Sequence, residues 1–340
     1  MTLNERIGAL VKLGESINTG SDEYIKVREN AYLHNKWFTE ENTDKAIIAI
    51  KSEFLDKEKI ENWISHYNIP DNPASKNTGI IMAGNIPLVG FHDLMTVFIS
   101  GHKALVKLSG KDTILMEYVI NLLYHIDPEI KNRIKIAERL NDIDAIIATG
   151  SNNSYRYFDY YFGKYPHIIR KNRNGVAVLT GEENDKDLDK LTNDILDYFG
   201  LGCRNISKIY VPENYDFSPL MKSLDKHQYL KEHNKYMNNY DYNLAISLIN
   251  KDKIYQNDII FLKEDISYLS RIASVHFEEY NNKEEVITRL NNDNELIQVV
   301  ASKNGNEMNF EREVPFGMTQ SPTLSEYADG VDTLEFLLSL

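Results

Sequence analysis

The chain of 340 residues is long enough for two domains, and its 42% hydrophobic and 26% charged residues are those of an ordinary globular protein. Lys and Arg number 38 against 51 Asp and Glu, and a formal charge of −13 argues against a nucleic-acid partner. A single cysteine forbids an internal disulfide, and no apolar run approaches the roughly 20 residues that span a bilayer, so a cytoplasmic protein without a membrane span is expected.

The first seventy residues read as helices. Met1 to Ser16 mixes charges into a helical stripe (Ile7, Leu10, Val11, Leu13, Ile17), with no apolar signal core, and Gly20-Ser21-Asp22 punctuates it. A second helix is expected from Tyr24 to His34, and a third carries Ala46, Ile47, Ile48 and Ile50 after Thr43-Asp44. Trp37, Phe38, Trp63 and Tyr67 read as packing residues. The turn-rich connector Asn72 to Asn77 ends this section.

From Gly79 the pattern changes to apolar strands alternating with helices. Strands are expected at Ile80–Ala83, Ala104–Leu108, Asp144–Ala148 and Gly175–Leu179, with helices at Leu88–Ser100, Ile114–His125 and Tyr155–Phe162. Such alternation predicts a parallel sheet covered on both faces, with ligands bound at the carboxyl ends of its strands, where Asn85, Lys107 and Ser151 fall.

Next comes Gly200-Leu201-Gly202-Cys203-Arg204-Asn205, between an amphipathic helix (Leu188, Leu191, Ile195, Leu196, Phe199) and an alternating strand from Ile206 to Val211. A thiol at this corner is either a nucleophile presented to a pocket or a small buried hydrophobe. Beyond it, Leu244–Leu248, Ile259–Leu262 and Leu296–Val300 read as strands of a second α/β domain, and Lys226 to Tyr236 as a solvated helix. His92 and His102 read as a helix-face and a turn histidine. Nine histidines without ligand spacing and one cysteine build no metal site, and no phosphate loop or Gly-x-Ser-x-Gly elbow is present.

The ordered set Gly84-Asn85-Ile86-Pro87, Val106-Lys107-Leu108-Ser109, Thr149-Gly150-Ser151 and Gly202-Cys203 resembles the aldehyde dehydrogenase superfamily. The terminal segment Pro315-Phe316-Gly317-Met318-Thr319-Gln320-Ser321-Pro322, with Tyr327-Ala328-Asp329-Gly330, is similar to its acyl-CoA reductase branch, relatives of the fatty-acid reductase of bacterial luminescence. That resemblance implies an aldehyde-dehydrogenase-like fold of two α/β domains, one with a parallel Rossmann-type cofactor sheet, after a helical N-terminal region. The expected boundaries are residues 1–178 for the helical start and NADP-binding domain and 179–312 for the catalytic domain. Residues 313–340 are expected to return to the domain interface.

By the same resemblance Cys203 is the acyl acceptor, and the Asn85 amide with the Cys203 backbone N–H binds the oxyanion; on local pattern Asn85 also suits a helix N-cap. Lys107, Ser109, Lys111, Gly150, Ser151 and Gly175 are implied for the cofactor. Two departures from the superfamily pattern bear on chemistry. Asn172-Arg173-Asn174-Gly175 lacks the glutamate that activates water, which favours a reductase. No acid stands three residues after Lys107, where relatives grip the ribose, which favours NADPH over NADH. The implied activity is NADPH-dependent reduction of a long-chain fatty acyl-CoA, or of an acyl group on a partner protein, to the aldehyde. Alternatives are an acyl-phosphate or semialdehyde-type reductase and a non-catalytic nucleotide-binding subunit; a homo-oligomer is compatible with each.

Overall fold

A computed structural model describes residues 1–340, the side chain of Asn152 excepted. Two units emerge, Met1–Asn172 with Thr323–Leu340, and Arg173–Pro322. The first begins with α1 (Leu3–Ser16), α2 (Asp22–His34), α3 (Glu40–Glu53) and α4 (Lys57–Ile64). Thr2, Ser21, Thr39 and Asp56 each accept a first-turn N–H, satisfying donors that a helix start leaves unpaired. The third helix therefore starts before Thr43, at the Thr39 cap. Ile7, Leu10, Leu13 and Ile17 are buried as their spacing predicts.

The sheet of this unit comprises β1 (Asn77–Ile81), β2 (Lys103–Lys107), β3 (Ile134–Ile136), β4 (Ala145–Thr149) and β5 (His167–Arg170). Helices α5 (Phe91–Ser100), α6 (Thr113–Ile126) and α7 (Asn152–Phe162) alternate with them. Strand order is β3-β2-β1-β4-β5, parallel throughout. Ile80, Val106 and Ile147 are fully buried, the mark of strands covered by helices. Strands β3 and β5 escape the sequence pattern because they are short and carry Lys135, His167 and Arg170 among their few residues.

The second unit holds β6 (Asn174–Val178), α8 (Asp185–Leu196), β7 (Ile206–Pro212), α9 (Ser218–Leu224) and α10 (Asn234–Asn250). It continues with β8 (Ile254–Gln256), β9 (Phe261–Glu264), β10 (Ser274–Tyr280), α11 (Lys283–Asn292), β11 (Ile297–Ser302) and β12 (Glu313–Pro315). Its sheet runs β12-β11-β6-β7-β10-β9-β8, parallel except for the β8–β9 pair. Three expectations are corrected here. The strand at Gly175–Leu179 pairs with β7 and β11, so it belongs to this sheet and not to the first. Leu244–Leu248 lies inside α10, which buries Tyr236, Tyr240, Asn243 and Ser247 at helical spacing. Lys226 to Tyr236 is no single helix: a 3-10 segment ends at Glu232 and α10 begins at Asn234.

The chain then returns to the first unit and ends with α12 (Thr333–Leu338). Trp63 Nε1 donates to the Tyr327 hydroxyl at 2.8 Å, and Tyr67 donates to Asp332 at 2.7 Å. His92 Nε2 meets the Leu324 carbonyl at 3.0 Å and His102 Nε2 the Leu337 carbonyl at 2.8 Å, so both histidines serve packing. Burial lowers the pKa of each. No helix among the described residues is long and apolar enough to cross a membrane.

One buried ion pair binds this return. Arg170 at the end of β5 makes a two-pronged contact with Asp93 in the first turn of α5 (2.5 and 2.9 Å) and donates to Thr333 of α12 at 3.1 Å. Removing one partner leaves the other charge buried, a loss of about 3–5 kcal/mol. Both tryptophans lie in the first unit, so their fluorescence reads this unit alone. Asp93→Ala is expected to lower the urea midpoint of that signal by an amount corresponding to this loss. An unchanged midpoint would show that the pair contributes nothing.

Candidate active site

In the second unit, α8 runs from a capping box at Asn184 and buries Leu188, Leu191, Ile195 and Leu196. It stops there because the next turn is left-handed. Tyr198 and Phe199 have φ of 52° and 60°, followed by Gly200 at 70°. Phe199 is therefore off the helical stripe its spacing suggested. A left-handed conformation costs about 1–2 kcal/mol for a residue with a side chain. Burial of both rings, each 5% exposed, offsets that cost.

This turn delivers the chain to a loop held by Asn205. The Gly202 N–H donates to Asn205 Oδ1 (2.8 Å) and the Asn205 N–H to the Gly202 carbonyl (3.1 Å). Asn205 Nδ2 then donates to the Asp194 and Asp197 carbonyls at the end of α8 (3.0 and 2.8 Å). Cys203 is half-buried within this closed loop. Gly175 sits against it: a Cβ there would lie 2.5 Å from the Asn205 carbonyl and 2.7 Å from that of Arg204. The geometry gives Gly175 a packing reason in the second unit, while the other residues implied for the cofactor lie in the first.

The terminal motif is fastened to the same loop. Asp194 is buried, and its carboxylate accepts the N–H groups of Gly317 (2.6 Å) and Thr319 (3.1 Å) and the Thr319 hydroxyl (2.7 Å). Burial raises its pKa to about 6, and these three donors pull the other way. Arg204 Nε donates to the Thr319 carbonyl at 2.5 Å. Glu183 is occupied locally, accepting the Thr180 N–H and hydroxyl and the Gly181 N–H.

In the first unit, β2 and β4 flank β1, so the loops after them leave the carboxyl end of one sheet on either side of β1. Lys107 ends β2 and, like Lys111, is exposed without an ion-pair partner among the described residues. The Ser109 carbonyl accepts from Asp112 N–H (3.0 Å) and the Thr113 hydroxyl (3.1 Å). From α2, His34 Nε2 meets the Gly110 carbonyl at 2.7 Å and Asn35 Nδ2 donates to that of Lys111 at 3.2 Å. After β4, Ser151 caps α7 by accepting the Ser154 N–H. Lys107 thus stands at the carboxyl end of β2, and Lys111 and Ser151 lie in the loops that follow β2 and β4.

Asn85 lies in the loop after β1, in the first unit, whereas Cys203 lies in the second. It is not a helix cap, because α5 begins only at Phe91 behind Gly90. Sequence reasoning missed the residue under this loop. Asp112 is 2% exposed, and its Oδ2 accepts the Leu88 N–H at 2.7 Å. Leu88 has φ 56°, a strained choice for leucine. Burial raises the Asp112 carboxyl well above its ordinary range, against the pull of the Leu88 N–H.

No protein-family model and no curated protein matches the chain. Solved structures do. Aldehyde dehydrogenase 21 from Physcomitrella patens, in complex with the reaction product succinate, superposes with a TM-score of 0.68 at 12% identity, over 100% of this chain and 84% of that one. The NAD+ complex of an aldehyde dehydrogenase from Bacillus cereus gives 0.62 at 15% identity, covering 91% and 74%. An NADP-dependent enzyme of E. coli gives 0.66 at 11% identity, covering 89% and 73%. The fold is that of aldehyde dehydrogenases.

Proposed function

We propose that the protein is an NADPH-dependent reductase that turns a fatty acyl thioester into the aldehyde through a thioester on Cys203. The observation that carries this reading is the placement of the chain's one thiol. On an aldehyde-dehydrogenase-like fold, Cys203 occupies a loop between α8 and β7 fixed by Asn205 and by a left-handed turn. The thiolate attacks the thioester carbonyl and expels the donor thiol, so one thioester replaces another at little net cost, and a hard reduction is divided into easier steps. The Cys203 N–H, with the Asn85 amide by the resemblance, would hold the oxyanion that forms.

The nucleotide, when bound, supplies the hydride that releases the aldehyde. Lys107, Ser109, Lys111, Gly150 and Ser151 are assigned to its binding. The first acid after Lys107 in the sequence is Asp112, which is buried and turned to Leu88; the lack of an acid three residues after Lys107 supports a 2′-phosphate there.

The test is spectrophotometric: oxidation of NADPH and NADH against acyl-CoAs of increasing chain length. NADPH oxidation that rises with chain length supports the reading. No oxidation with any acyl-CoA, but turnover of an acyl phosphate, would shift it to the semialdehyde-forming class. In the same assay Lys111→Glu is expected to raise the KM for NADPH about 10- to 100-fold, the worth of a charge-assisted contact, and that for NADH far less. Equal effects would remove the 2′-phosphate contact.

A further inference from the structure

The residue before a helix ordinarily turns a short acceptor onto its own first turn. Asp112 precedes α6 yet makes no such bond. Its carboxylate instead reaches back 24 residues to the Leu88 N–H. The other end of that loop is also fixed: a Cβ on Gly84 would lie 2.5 Å from Ser109 Oγ and 3.2 Å from the Asp112 Cβ. Asn85, Ile86 and Pro87 thus span between two anchors, both on the segment Ser109–Asp112. Leu88 stands in the left-handed region with its N–H held by Asp112, three residues after Asn85.

We infer that Asp112 is a positioning residue that sets the Asn85 amide for acyl transfer, by holding the Leu88 N–H and joining the Asn85 loop to the loop of Lys107, Ser109 and Lys111. The inference rests on the reading of Cys203 as acyl acceptor and Asn85 as oxyanion donor. It assigns Asp112 no contact with substrate. The second carboxyl oxygen, Oδ1, is buried without a hydrogen-bond partner among the described residues, so the Leu88 N–H is the contact this side chain makes. An asparagine side chain reproduces that shape, with a carbonyl oxygen for Leu88 and an NH2 in place of Oδ1.

The experiment measures the rate of acyl-adduct formation by rapid quench and intact-protein mass spectrometry, with a long-chain acyl-CoA and the whole chain. Asn85→Ala is expected to slow acylation about 10²–10³-fold, the usual loss for an oxyanion donor. Asp112→Ala is expected to slow it up to about 100-fold, as a misplaced group does. Asp112→Asn is expected to stay within a few-fold of wild type. The decisive variant is the double one: Asp112→Ala should cost nothing further once Asn85 is alanine, because the two act through one amide. Additive losses, or full acylation by Asp112→Ala, would overturn the inference while leaving Cys203 and Asn85 in place. Where Asp112→Ala does not fold, Gly84→Ala presses on the same anchor from the other end and must show the same non-additivity. A wild-type protein that forms no adduct removes the functional reading and this inference with it.

Discussion

Cys203→Ser is expected to form no acyl adduct and to lose reduction by roughly 10⁴–10⁶-fold, the range seen when a covalent nucleophile is removed. A hydroxyl keeps nearly the size of the thiol, so the loop should persist. Its closures through Asn205, Gly202 and the end of α8 are made by backbone groups and the Asn205 amide, all of which the variant keeps. Thermal stability and NADPH binding should therefore match wild type. The readout is intact-protein mass after mixing with acyl-CoA, beside a binding isotherm for NADPH. An adduct that persists in the variant would move the acceptor elsewhere. Loss of both adduct and NADPH binding would mean that the loop has collapsed, and Cys203→Ala would then separate fold from chemistry.

The sequence carried the location of that loop because its signals are local. Two glycines, a lone cysteine and a helix-to-strand change of period fall within a dozen residues. The tethers are another matter. Leu88 to Asp112, Asp93 to Arg170 and Asp194 to Thr319 join residues 24 to 125 positions apart, and each acid there looks like an ordinary polar residue near a helix end. Their roles come from burial, which a single sequence does not display.

Strand membership has the same origin. Gly175–Leu179 reads as a buried strand and is one, but apolar pattern says nothing about which of two parallel sheets a strand joins. The alternation Leu244-Ala245-Ile246-Ser247-Leu248 misleads for a different reason. Its helix turns Asn243 and Ser247 inward and leaves Leu248 56% and Ile249 79% exposed, so hydrophobicity is a poor guide to the buried side.

The remaining large effect concerns the fate of the adduct. Aldehyde dehydrogenases that make acids need a base to deprotonate the water that attacks the acyl-enzyme. From Asn172 to Gly175 there is no carboxylate. Of the two glutamates next along the chain, Glu183 already accepts three hydrogen bonds from Thr180 and Gly181. General-base assistance contributes about 10²–10⁴-fold, so without it the thioester on Cys203 is expected to outlive, by that factor, one that faces a poised glutamate. Loading the protein with acyl-CoA, removing the excess and following intact mass without NADPH measures this lifetime. Addition of NADPH should then clear the adduct as aldehyde, with free fatty acid a minor product. Rapid loss as acid before NADPH is added would defeat the idea and direct attention to Glu182, which is exposed and whose replacement by glutamine should then restore the slow decay. Slow decay followed by aldehyde release links the missing base to the direction of the chemistry, because an enzyme that keeps its thioester from water leaves hydride as the way out.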